Sequence, residues 1–187
     1  LGTGDKVMLY RFKTTWGPTP SLTSVSPVNL GAATFTHACS TTPPLFTCIP
    51  QKNGAPLAIS FLGNHGIMNR VAYRQFPAVG STPSFGSIVA NHNIIGPNNI
   101  PSAIRWYQLK VPNTYLPTKV QQGTYTSDSM SYFNGSIAMD KIGNIALGYN
   151  VSSPTIFPSV EITGRTKIDK VNTFRSPMTV VKGTGAL

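Results

Sequence analysis

Acidic residues are scarce in this chain. Only Asp5, Asp128, Asp140, Glu161 and Asp169 occur among 187 residues, which leaves few candidates for two-carboxylate hydrolysis or for a hard-cation site built from carboxylates. No apolar run approaches the roughly 18 residues that a membrane-spanning helix needs, so no membrane span is expected. Long helices are excluded as well. No ten-residue window places apolar residues at i, i+3, i+4 and i+7 without a glycine or proline interrupting it. A glycine-rich phosphate loop, a nucleophile elbow and a Cys-x-x-Cys pair are all absent, and neither a cofactor nor a metal is expected. No signal peptide stands at Leu1, so any export signal is expected to have been removed or to lie upstream.

Cysteine is limited to Cys39 and Cys48, nine positions apart in the stretch THACSTTPPLFTCIPQ. A disulfide between them would close a short loop and imply an oxidising compartment. The alternative is a metal pair with His37 as a third ligand, but the spacing fits no zinc pattern and a fourth ligand is not evident. Fifteen Lys and Arg give a formal net charge of +10. These cations are scattered, which suits a solvated basic surface, while a polyanion-binding site remains the alternative.

What the chain has in abundance is turn punctuation. Seventeen glycines and sixteen prolines separate short alternating or β-branched segments. The expected strands are 6–13, 21–30, 69–76, 85–95, 103–111, 119–126, 135–140, 144–151, 160–167 and 178–183. They group in fours. The third strands of two groups begin alike at Pro101-Ser102 and Pro158-Ser159, and the fourth strands end alike at Gly123-Thr124 and Gly183-Thr184. Four strands recurring at about 60 residues predict β-propeller blades with long connections. The expected division is a partial blade over 1–34, a disulfide-stapled loop over 35–68, and blades over 69–126 and 132–187.

The block YFNGSIAMDKIGNIALGYNVSSPTIFPSVEITGR, residues 132–165, together with MNRVAYRQF, IRWYQL and QQGTY earlier in the chain, resembles the secreted bacterial sialidase-like (BNR-repeat) β-propeller family. The resemblance runs in the family's order across most of residues 6–165. It implies an all-β fold of antiparallel four-stranded sheets arranged as propeller blades, about two complete and part of a third. It also implies an extracellular or cell-surface location. The chain departs from the family pattern at Gly63-Asn64-His65, where similar proteins carry Gly-Asp-Arg, and at residues 77–87, where an acidic stretch is replaced. The family's later Arg-Trp-Gly-Asp segment is expected beyond Leu187, so the chain resembles an internal stretch of a longer propeller.

A sialidase site needs three arginines to grip a carboxylate, a Tyr–Glu pair and an acid. Arg70, Arg74 and Arg105 are the candidate ligand-binding residues, with Tyr73, Tyr107 and Glu161 near them in sequence and Arg165 on a further strand. Guanidinium rather than ammonium suits this role because it pairs with a carboxylate through two parallel bonds. His92, on a strand in a polar setting, is a further candidate; His37, His65 and His92 are too dispersed for a metal site. Asp140, Gly143 and Asn144 read as a hairpin turn related to the Asp-box turn of sialidases, with a structural role. The aromatics Trp106, Tyr107, Tyr125, Tyr132, Phe133 and Tyr149 alternate with polar residues as core positions do.

The expected function is a non-catalytic extracellular module for assembly, attachment or partner binding. Its partners would be further blades of a longer parent chain or an identical subunit, with anionic glycans as an additional class and no specific nucleic acid. A fragment of a glycan-acting hydrolase and a basic polyanion binder are the alternatives. The hydrolase reading requires Arg70, Arg74 and Arg105 to converge on one pocket.

Overall fold

The computed structural model describes residues 5–39, 47–59, 66–68 and 70–187. Among these residues the fold is all-β, with four antiparallel sheets and one 3-10 turn at Pro97–Asn99. Strands β1 (Met8–Thr15) and β2 (Ser21–Asn29) form a hairpin. Strands β3 (Thr47–Ile49) and β4 (Leu57–Ala58) form a second, very short pair. Strands β5 (Ala72–Phe76), β6 (Phe85–Ile94), β7 (Ala103–Pro112) and β8 (Thr118–Tyr125) make one four-stranded meander in chain order. Strands β9 (Ser131–Met139), β10 (Ile145–Ser153), β11 (Ile156–Arg165) and β12 (Met178–Val181) repeat that order in a second.

All ten expected segments coincide with strands, with ends displaced by a few residues. The largest shifts, of four residues each, lie at the starts of β9 (Ser131 rather than 135) and β11 (Ile156 rather than 160). Asn134-Gly135, at the expected start of the strand, forms a bulge inside it. Asn134 adopts φ 51°, and the β9–β10 register slips between Gly148 and Asn150, as one extra residue requires. Asn69, the expected start of β5, lies outside the described residues, as do Gly63, Asn64 and His65. The 35–68 segment holds the Cys39–Cys48 disulfide. It packs Ala38, Cys39, Ile49 and Ile59 against Phe133 of β9.

Period-two alternation tells the two faces of each sheet apart. On β9 and β10, Ile137, Met139, Ile145, Leu147, Tyr149 and Val151 are buried, while Ser136, Ala138 and Ala146 between them are exposed. The buried set packs against Val89, Ile104 and Trp106 of the preceding sheet in one continuous core. Strands β6 and β7 are buried on both faces. One face meets β9–β12. Across the other run the β1–β2 hairpin and the strap that follows it, tied down by Ala33 and Gly31 to Gln122, Arg105 and Lys119.

Close backbone approach at the sheet–sheet contact depends on Gly135. A Cβ there would stand 2.4 Å from Asn91 Nδ2 and 3.1 Å from Ile104 Cδ1. The aromatics expected in the core are there. Trp106 and Tyr107 are fully buried, Tyr132, Phe133 and Tyr149 nearly so, and Tyr125 packs at the margin.

Candidate functional site

The arginines do not converge. Arg74 lies opposite Ser87, and Arg105 lies opposite His92 on the same strand β6. Five residues separate Ser87 from His92, an odd number, so the two arginines project from opposite faces of the sheet, about 16 Å apart along the strand at roughly 3.3 Å per residue. Arg70 is exposed and precedes β5, so it does not share a strand face with Arg74. The convergence that a carboxylate grip demands is therefore not met.

These guanidinium groups serve the backbone instead. Arg74 Nε donates to the Met139 carbonyl at 2.9 Å, fastening β5 to the end of β9. Arg105 Nε donates to Thr124 Oγ1 at 2.9 Å and its Nη1 to the Ala33 carbonyl at 3.1 Å. Arg165, also buried, donates to the carbonyls of Thr173 and Asp169 at 3.1 and 2.9 Å and so organises the loop before β12. A buried cation held by several carbonyl oxygens is compensated without a carboxylate.

His92 shares the Arg105 face. Its Nε2 lies 3.0 Å from the Tyr107 hydroxyl, the two rings stack at 5.7 Å, and Phe35 meets the imidazole edge-on at 4.6 Å. Burial, and then the charges of His37 and Arg105, push its pKa from 6.5 down to about 4. The ring is neutral at physiological pH and acts as a packed hydrogen-bonding group. Burial likewise raises Tyr107 to about 12. No group of three His, Cys, Asp or Glu side chains that could hold a metal occurs among the described residues.

Sequence inspection misses the partner of Glu161. Its carboxylate accepts from the Tyr149 hydroxyl at 2.8 Å, because Tyr149 and Glu161 are cross-strand neighbours in β10 and β11. Tyr125 and Tyr132 complete a three-ring cluster with centroids 4.8 to 5.4 Å apart. Burial and the bonds to Tyr125 and Glu161 drive the Tyr149 phenol far above its ordinary pKa. An activated nucleophile requires the opposite. This pair is a polar clasp within the sheet stack.

At the β9–β10 turn, Asp140 Oδ1 accepts from the amides of Ile142 and Asn144 at 2.9 Å each, and its Oδ2 accepts from Asn144 Nδ2 at 2.7 Å. Gly143 takes φ 93°, a conformation that L side chains avoid. Desolvation works against the charge of Asp140, but these hydrogen bonds prevail and hold its carboxyl below the ordinary value.

The face of β9–β12 turned away from the core has a distinctive make-up. Its strand positions include Ser136, Ala138, Ala146, Val160, Ile162 and Met178, with no charged side chain, whereas the inward face carries Glu161 and Arg165. Ile162 and Met178 are 36% and 66% exposed. Solvent faces of antiparallel sheets are ordinarily the polar ones, and here the charge distribution is reversed.

Together the fold and these sites define an all-β protein of stacked antiparallel sheets whose buried polar groups hold strands and loops in place. No protein-family model, no curated protein and no solved structure matches the chain.

Proposed function

We propose that the chain is an extracellular assembly module of the sialidase-like (BNR-repeat) propeller type, in which β5–β8 and β9–β12 act as successive blades and no catalysis takes place. The observation that carries this reading is the uncharged, partly apolar outer face of β9–β12. A contiguous exposed surface of this kind marks an interaction site, and a second four-stranded sheet is its natural cover because the same stacking already joins the two sheets. In solution, a second copy of the chain supplies that sheet.

Further support comes from the recurrence of one meander order in both sheets and from the disulfide, which suits an oxidising compartment. Among the described residues no helix is long and apolar enough to cross a membrane. A hydrolase reading finds no support, since Arg74 and Arg105 point to opposite faces and Tyr149 is buried and hard to ionise.

Sedimentation velocity tests the proposal. Species larger than 20.0 kDa that grow with concentration are expected, and Ile162→Lys should shift the population to the monomer. A compact monomer at every concentration would refute it.

A further inference from the structure

We infer that the β1–β2 hairpin docks the chain on an anionic phospholipid bilayer, with Trp16 at its leading end. The inference stands apart from the assembly reading, which concerns the outer face of β9–β12. Among the described residues, β1 and β2 pair with each other and with no other strand. A two-stranded ribbon of this kind is marginal in water unless something covers one of its faces. Every residue of β1 except Leu9 is exposed.

The exposed side chains are apolar where solvent would favour polar ones. Tyr10, Phe12 and Leu22 are each more than half exposed. Alternation sets Tyr10, Phe12 and Thr14 on one side of β1. Leu22 lies opposite Thr14 and so diagonal to Phe12, within reach of its ring. Tyr10 and Phe12 also line one depression with Tyr73 and Tyr115, which continues the aromatic surface from the hairpin onto β5–β8. Trp16 opens the turn over residues 16–20. It is 84% exposed, and among the described residues it has no hydrogen-bond or ring partner. A Cβ at Gly17 would meet nothing within 4 Å, so the tip stands clear of the rest of the chain. Pro18 and Pro20 restrict its backbone. An indole has an apolar body and one N–H donor, which suits it to the headgroup layer of a membrane, wet on one side and apolar on the other.

Charge identifies the surface. Arg11 and Lys13 alternate with Tyr10, Phe12 and Thr14 along β1, so cations flank the apolar side chains. The Arg11 guanidinium carbon stands 4.0 Å from the centroid of the Tyr115 ring, a cation–π contact that keeps this charge beside the aromatic surface. No Asp or Glu occurs between Asp5 and Asp128, whereas nine Lys and Arg do. Two copies meeting through their hairpins would therefore set like charges against each other. An anionic lipid surface supplies the missing sign. Its headgroup layer also receives rings at several depths without a preformed pocket, as amphipathic interfacial segments require.

Vesicle flotation of the full chain at physiological salt tests this. The probes are vesicles of equal parts phosphatidylcholine and phosphatidylglycerol, and vesicles of phosphatidylcholine alone. The anionic vesicles should carry the chain, and the neutral ones should bind ~25-fold more weakly, at about fivefold for each of Arg11 and Lys13. Arg11→Gln with Lys13→Gln should remove that preference. Trp16→Ser should weaken binding at least ~10-fold, as loss of a buried aromatic does, with an undiminished melting temperature because the side chain is exposed. Brominated phosphatidylcholine in the anionic vesicles should quench Trp16 while the buried Trp106 keeps its emission; quenching separates insertion of the tip from adsorption by charge alone. Absence of binding to anionic vesicles, which would leave the hairpin to a protein partner, would overturn the inference. Equal binding to both compositions, unquenched Trp16 on bound vesicles, or full binding by Trp16→Ser would overturn it too.

Discussion

Acidification from pH 7 to pH 5 loads a proton onto His92 in the unfolded chain but leaves it largely neutral in the folded one. In the fold, the imidazole is enclosed by Phe35 and Tyr107, with His37, Arg105 and Asp5 as the titratable or charged groups nearest to it. Its pKa falls from 6.5 to about 4, chiefly through burial. A base with a depressed folded pKa leaves the unfolded state binding more protons between these two values. Stability from this site is therefore complete above pH 6.5, declines as pH falls, and levels off below about 4. At 1.36 kcal/mol per pKa unit, the loss amounts to about 3 kcal/mol.

Urea unfolding at pH 4, 5, 6 and 7, followed by tryptophan fluorescence, measures the decline. Trp106 is buried at 1% exposure and reports the fold, whereas Trp16 is 84% exposed and contributes little change. His92→Gln retains a group able to bond the Tyr107 hydroxyl and has no ionisation in this range, so the slope between pH 6.5 and 4 should flatten. The carboxylates Asp140 and Asp169 are both held below the ordinary aspartate range, so their contributions disappear at lower pH. An equally steep slope in the variant, or a flat profile in the parent chain, would refute the reasoning.

Two further outcomes are expected. Replacing both Cys39 and Cys48 by alanine should cost about 2.5–3 kcal/mol, the loop-closure value for so short a separation, and an unchanged urea midpoint would contradict it. Gly135→Ala should destabilise by about 1–3 kcal/mol, as overpacking does, because the added methyl meets Asn91 Nδ2 at 2.4 Å. Thermal unfolding of the variant checks this, and a melting temperature at or above that of the parent would show that the sheets can separate there without cost.

Strand positions were legible because alternation and turn residues act locally. NRVAYRQF, FGSIVANHNII and AIRWYQLKV each carry their own period and their own stops. Faces shared between strands were not legible, because they depend on register. Whether Arg74 and Arg105 meet is decided by the spacing of Ser87 and His92 along the intervening strand β6, and no pattern within β5 or β7 contains that number. The Tyr149–Glu161 clasp was hidden for the same reason. The start of β9 was placed four residues late because the bulge at Asn134-Gly135 interrupts the alternation that runs on either side of it. Strands β3 and β4, of three and two residues, are too short for alternation to register at all.

Sheet β5–β8 meets its successor with one face and the β1–β2 hairpin with the other, so in a second copy the four-stranded sheet with a face to spare is β9–β12 itself. A patch that packs on its own counterpart is related to it by a two-fold axis. Such a contact is complete at two copies and presents no further surface for a third, so the assembly closes on itself instead of growing.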